Sequence, residues 1–175
     1  MLPEWLRRLV EGTPPAKTFP PAPAPAPRVV EHPHAKAYAK AKAHIGTKEV
    51  KGKAHNPEIV GWFGQVGHSW VSDDETAWCA AFVGAMLQLG GLPSSRKLNA
   101  RSYLDWGRVV DLADAQPGDV VIFTRGDPQG WQGHVGFFVR RDGNSIIVLG
   151  GNQSNEVNTS PYPVSRLLGV RRWAE

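Results

Sequence analysis

The chain has 175 residues, a net charge of +4 at neutral pH and a single cysteine, Cys79. One cysteine excludes an internal disulfide, and no stretch approaches the ~18 apolar residues of a membrane helix. The pI of about 9.4 favours anionic partners, either nucleic acid or anionic cell envelope; no arginine-rich run or nucleic-acid motif singles out nucleic acid.

Residues 1–34 read as an appendage. Pro3 to Gly12 is a short amphipathic segment, with Trp5, Leu6, Leu9 and Val10 on one side. It docks on a protein partner or rests on its own domain. Arg7 and Arg8 break the apolar run that a secretory signal requires, so the protein is expected to be made in the cytoplasm without a classical signal. Thr13 to Pro27 is a linker whose alternating prolines and alanines form polyproline II, about 25 Å long over Pro20 to Pro27.

The folded domain is expected over 35–175, as a monomer. Ala35 to His44 reads as a helix ending at Gly46, and Glu49 to Lys53 as a basic loop or short strand. Asn56-Pro57 starts a second helix running to about Gly67: asparagine caps, and proline fits the first turn. Ser69 to Glu75 is a loop carrying Asp73, Asp74 and Glu75. With His68 these acids offer a cation site, but their spacing matches no metal motif. A solvated acidic loop is the expectation, with no metal and no cofactor. A third helix follows, with an apolar stripe at Phe82, Val83, Met86, Leu87 and Leu89, stopped by Gly90-Gly91. Thr76 suits its N-cap, which puts Cys79 at the third helical position. Asn99 caps a short helix from Ala100 to Trp106.

Here the apolar period changes from 3.6 to 2. Gln116-Pro117-Gly118-Asp119 is a turn launching the buried strand Val120 to Phe123. A loop to Gly133 carries Trp131. His134 to Val139 is a strand, Asp142-Gly143 marks a hairpin, and Ser145 to Leu149 returns. Gly150 to Pro163 reads as a polar loop and Gly169 to Trp173 as a last strand. Helices first and an antiparallel sheet after give an α+β fold, the helices packed on the sheet.

The chemistry gathers on Cys79. A free thiol has a pKa near ~8.5, and lowering it by ~2 units requires ~3 kcal/mol. A helix N-terminus supplies ~0.3–1 kcal/mol, at most ~2. A histidine partner is therefore needed if Cys79 is a nucleophile; otherwise it is a small buried apolar residue. His134 opens a strand. With a three-residue loop at 142–144, Arg141 pairs with Ser145 and His134 lies opposite Asn152; a two-residue turn moves its partner to Gly151 or Gln153. Paired residues share a face. An amide from Asn152 then fixes one ring nitrogen of His134 and leaves the other to face a thiol. As plain readings, His134 is an ordinary strand-end histidine and Asn152 a turn residue. His68 is a reserve base. Trp78, Trp131 and Trp106 are candidate groove walls, core packing being equally open for Trp106.

Asp74-Glu75-Thr76-Ala77-Trp78-Cys79-Ala80-Ala81-Phe82-Val83, Pro117-Gly118-Asp119-Val120-Val121-Ile122-Phe123 and Gly133-His134-Val135-Gly136-Phe137 resemble CHAP and NlpC-type cysteine hydrolases. The small CHAP-like branch common in bacteriophage lysis proteins is the nearest in pattern. The resemblance spans about Ala35 to Trp173. It implies a papain-like fold and hydrolysis of amide bonds in peptidoglycan stem peptides at the bacterial wall. Cys79 would be nucleophile, His134 base and Asn152 orienting amide. Ala77 stands where a proline is common, and no glutamine shortly precedes the cysteine as an oxyanion donor, Gln65 being distant. Other readings are a non-catalytic wall-binding module, or the same chemistry in an antibacterial effector or a virion hydrolase.

Overall fold

The computed structural model describes residues 33–173. The amphipathic segment and proline linker, with His32, lie outside the described residues. The order of elements is α1 (Pro33–Ala43), α2 (Pro57–Gln65), α3 (Cys79–Leu89), a 3-10 helix (Ala100–Asp105), β1 (Arg108–Val110), β2 (Val120–Thr124), β3 (Gly133–Asp142), β4 (Ser145–Gly150), β5 (Asn158–Pro163) and β6 (Leu167–Arg172). The strands form one sheet in the order β1-β6-β2-β3-β4-β5, with every pairing antiparallel. The architecture is α+β, as the change of period predicts.

α3 is the central element. Every residue from Cys79 to Leu87 is buried, because α1, α2 and β3 cover it from different sides. The expected stripe is therefore a helix apolar all round, the signature of a core helix. α2 starts as expected: Asn56 Oδ1 accepts from the Glu58 N–H, with Pro57 in the first turn. α3 does not. Its N-cap is Trp78, without a side-chain cap, so Cys79 is the first helical residue rather than the third. Asp73 causes the shift. Its carboxylate accepts from the Glu75 and Thr76 N–H groups and closes a turn before the helix begins.

Two apolar layers flank the sheet. Val120, Ile122, Val135 and Phe137 face the helices, while Val121, Phe123, Phe138 and Val148 form a second cluster on the far face with Tyr162. Trp106 belongs to the core, not to a groove: it is 6% exposed, donates from Nε1 to Pro93 O and packs on Tyr103 and Trp173. The Pro-Gly-Asp turn is structural. Asp119 takes a bidentate pair from Arg172, both N···O distances 2.7 Å, and so ties the start of β2 to β6. Gly118 has φ +98°, and a Cβ there would meet His34 O and Tyr38 Cβ at 3.1 Å.

Two elements depart from the sequence expectation. β1 lies where no strand was expected, and the polar stretch after Gly150 contains β5, whose residues pair with all of β4. The alternating exposure of β5 marks an edge strand with one wet face.

Candidate active site

Cys79 is held at the start of α3 and is 7% exposed. The backbone N–H of Val135, the residue after His134, donates toward its sulfur. Antiparallel pairing of Phe123 with His134 places the histidine at the entry of β3. His134 is 1% exposed, and its ring stacks on Tyr162 at 4.8 Å with an interplanar angle of 5°. Tyr162 stacks in turn on Phe123 at 4.9 Å. The imidazole is thus clamped in one plane by β5, the strand missed in the sequence.

The amide partner of His134 is Gln153, not Asn152. Gln153 Oε1 lies 3.1 Å from His134 Nε2, and Gln153 is itself 3% exposed. The register alone, once its two irregularities cancel, still points to Asn152, and the end of the ladder overturns it. The turn has two residues, pairing Asp142 with Ser145. A bulge at Val139 then shifts the register back by one. Finally, β4 stops at Gly150, and Asn152 adopts a left-handed φ of +57°, so the ladder never reaches His134. Asn152 makes no hydrogen bond to the ring among the described residues. The longer glutamine reaches back instead. Gly151 permits the approach, since a Cβ there would lie 2.4 Å from Trp78 Cζ3.

The orientation of the Gln153 amide is determined by its surroundings. Its Nε2 faces three acceptors: Asn158 O at 2.7 Å, Asn158 Oδ1 at 2.9 Å and Val148 O at 3.3 Å. Asn158 Nδ2 donates back to Gln153 O at 2.8 Å. A flipped amide would set an oxygen against three oxygens, so Oε1 must face the histidine. An acceptor there requires the proton on His134 Nε2. Nδ1 is then a free lone pair, buried and without a hydrogen-bond partner.

The electrostatics oppose an ion pair at rest. Burial pushes the Cys79 thiol up, against the Val135 N–H and the Arg125 charge that favour the thiolate. Burial also lowers His134 to about 4, the Gln153 bond opposing it and the charges of Arg125 and Arg166 adding to it. The histidine therefore does not depress the thiol pKa in the free protein. Near pH 7 both groups are neutral, a thiol and an imidazole base.

A cleft of about 130 Å³ opens beside Cys79, lined by Trp131, Leu98, Asn99, Arg125 and Gln132 among others. Trp131, 73% exposed, is a wall of it. Trp78 is not. It is fully buried against Trp62 and Phe82, and its Nε1 donates to Glu49 at 2.7 Å. It supports the Gly151 backbone from beneath rather than touching the cleft.

The acidic loop is solvated only in part: Glu75 is exposed, Asp73 is half-buried and Asp74 is not solvated at all. Asp74 is fully buried and accepts from Val50 N–H at 2.8 Å, Asn56 N–H at 2.7 Å and His55 Nδ1 at 3.0 Å. It anchors residues 47–56, and the segment from Gly46 pairs with the Gln153 loop through Gly46 N–H to Val157 O, Glu49 N–H to Asn155 O and Val157 N–H to Thr47 O. His68 is spent on Arg96 O and the edge of Trp70, and Gln65 donates to Ala85 O in the middle of α3. Among the described residues no three His, Cys, Asp or Glu side chains converge as a metal site, and no helix is long and apolar enough to cross a membrane.

The comparisons with known proteins bear on the fold that carries these residues. Residues 71–152 match the CHAP domain family. An NlpC/P60 family protein from Bacillus cereus ATCC 10987 superposes with a TM-score of 0.51 at 18% identity, over 86% of this chain and 41% of that one. A similar-to-lipoprotein NLP/P60 family protein from Staphylococcus aureus subsp. aureus Mu50 gives 0.52 at 16%, over 90% and 46%. The P60 domain of an M. avium subspecies paratuberculosis antigen gives 0.50 at 12%, over 82% and 96%. The chain thus spans less than half the length of the first two and nearly all of the isolated domain. No curated protein matches it. The CHAP match spans the cysteine and the histidine, and the solved structures share the papain-like α+β fold of the body around them.

Proposed function

We propose that the protein hydrolyses amide bonds of peptidoglycan stem peptides by cysteine nucleophilic catalysis, with Cys79 as nucleophile, His134 as base and Gln153 as the orienting amide. The observation that carries this reading is the buried, unpartnered His134 Nδ1 at the strand position next to the N–H that meets the Cys79 sulfur. An orphaned buried lone pair is costly, and a free acceptor nitrogen is what transfer of a thiol proton requires.

The thiol proton passes to His134 Nδ1 as the sulfur attacks the scissile carbonyl carbon. The oxygen takes the electron pair, stabilised by the Cys79 N–H at the helix N-terminus. Collapse breaks the C–N bond, and the leaving amine takes the proton from Nδ1. Water, deprotonated by the same nitrogen, then attacks the thioester; the acid leaves and the thiol is restored. The Gln153 oxygen holds the imidazolium formed in both halves. Trp131 forms one wall for the peptide.

Purified peptidoglycan is digested with wild type and with Cys79→Ala, and the products are read by mass spectrometry. Fragments from wild type alone support the hydrolase, and their masses name the bond. Retained turnover in purified Cys79→Ala, or in His134→Ala, rules the assignment out. Sacculi that bind the protein but release nothing favour a wall-binding module. The amphipathic segment and linker of residues 1–34 are proposed as an address for the domain at 35–175, tested by comparing sacculus binding of the full chain with that of 33–175.

A further inference from the structure

Three arginines border the loop between β2 and β3, and two of them are consumed by it. Arg101 donates from Nε to Gln132 O at 2.9 Å, and from Nη2 to Thr124 Oγ1 and Pro128 O, both at 3.1 Å. Arg166 gives two bonds to Thr124 O, at 3.1 and 2.7 Å. Arg125, on the same loop, has an exposed side chain with no hydrogen bond or ion pair among the described residues. The neighbouring acid does not claim it: Asp127 Oδ1 accepts from the Gln129 N–H at 2.9 Å. The base of Arg125 is nevertheless held, its N–H donating to Gln132 O at 3.4 Å.

Arg125 is also the one charged side chain, among the described residues, lining the cleft beside Cys79. The walls around it are Trp131, Leu98, Ala77 and Ala100, with the amides of Asn99 and Gln132. A small, largely apolar cleft with a single unpaired guanidinium is complementary to a peptide segment carrying one anion near the bond to be cut. The planar fork of arginine matches a carboxylate with two parallel N–H···O bonds. Its field already reaches the chemistry, favouring the Cys79 thiolate and disfavouring a charged His134.

We propose that Arg125 forms a carboxylate-binding subsite that holds an acidic group of the substrate peptide beside the scissile amide. The proposal rests on the hydrolase reading above and narrows the substrate class to peptides with a free carboxylate flanking the cut. That carboxylate belongs either to an internal acidic residue of the stem or to its C-terminus, and the two are separable by amidation.

The test uses full-length Cys79→Ala, which binds without turnover, titrated calorimetrically with three synthetic stem peptides. One carries free carboxylates, one has the internal carboxylate amidated, and one has the C-terminus amidated. One amidation is expected to weaken binding by ~10–100-fold, the range for a charge-assisted pair, and it names the carboxylate. Arg125→Gln in the same background should weaken the free peptide by that factor and erase the difference between peptides. Arg125→Lys, a point charge without the fork, should recover only part of it. Equal binding of all three peptides by Cys79→Ala, binding of none, or discrimination that survives Arg125→Gln would each overturn the subsite. So would an Arg125→Gln enzyme that loses turnover equally on every peptide while the pH profile of Cys79 alkylation moves, because Arg125 would then act on the thiol. Digestion of sacculi by wild type is read separately. Fragments released without peptide discrimination leave the hydrolase standing and remove only the subsite.

Discussion

Replacing Gln153 by alanine separates the two amides that compete for the orienting role. In the wild type Gln153 Oε1 accepts one bond from His134 Nε2 at 3.1 Å. In the proposed attack the ring becomes an imidazolium, and the same bond becomes charge-assisted. A neutral bond is worth ~0.5–1.5 kcal/mol and one to a charged group ~1.5–3 kcal/mol. The bond therefore stabilises the transition state over the ground state by ~1–2 kcal/mol. Release of the ring from its single tautomer adds to that, so kcat on a soluble stem peptide should fall ~10–100-fold in Gln153→Ala. Folding stability should fall too. The truncation leaves His134 Nε2–H and the Asn158 acceptors unpaired in a buried place, at ~1–3 kcal/mol per stranded group. For a domain of this size ~3 kcal/mol lowers the melting midpoint by roughly 10 °C, so the assay is run well below it. Asn152→Gly is the control: glycine accepts the φ of +57° without strain, and kcat should change less than ~3-fold. A folded Gln153→Ala with wild-type kcat, together with an inactive Asn152→Gly, would refute the reasoning.

The depressed His134 gives a signed pH dependence. Its pKa falls from 6.5 to about 4 on folding, so the unfolded chain binds the extra proton between those values. Stability should then rise with pH across that window and be lost as pH falls through it, by up to ~3 kcal/mol. The slope, followed by urea melts, should disappear in His134→Gln; an unchanged slope would show that another group carries it. Because burial raises the Cys79 thiol, iodoacetamide should label the free protein slowly at pH 6–7 and faster only in the alkaline range. Rapid labelling at pH 6 would instead mean a resting thiolate–imidazolium pair. Asp74→Ala removes the buried carboxylate that holds the partly buried Val50 and Asn56 N–H groups and should cost ~2–3 kcal/mol. The loss of turnover should exceed that explained by unfolding, because the freed 47–56 segment no longer supports the Gln153 loop; a variant with wild-type urea midpoint would remove Asp74 from that role.

Much of the site lies in local patterns. A lone cysteine before an apolar run, Pro-Gly-Asp ahead of a buried strand, and Gly-His-Val opening the next are short-range signals, each readable from turn chemistry and period. So was the α+β order, because helices and strands impose different periods on the chain. Trp131, on a loop full of turn residues, was legible as a cleft wall for the same reason. Trp78 was not, because whether an aromatic faces a groove or the core depends on what packs over it, here Trp62, Phe82 and Gly151. β5 escaped notice because only alternate residues meet the core and two of its six are proline.

The third member of the site shows where sequence reasoning stops. Counting along a hairpin locates a partner to within one residue, and both Asn152 and Gln153 fall in that range. The choice between them rests on the end of β4 at Gly150 and a left-handed residue at Asn152, which override a register that a bulge at Val139 returns to Asn152. The burial that leaves the thiol and imidazole both neutral comes from segments packed around them, Tyr162 over the His134 ring among them. By itself, the order of residues determined the fold class, the nucleophile candidate and the base candidate, because these follow from periodicity and side-chain chemistry. Only the tertiary structure decided which amide reaches the histidine, which ring nitrogen is free, which tryptophan lines the cleft and which arginine is left unpaired, because each depends on distances between segments far apart in the chain.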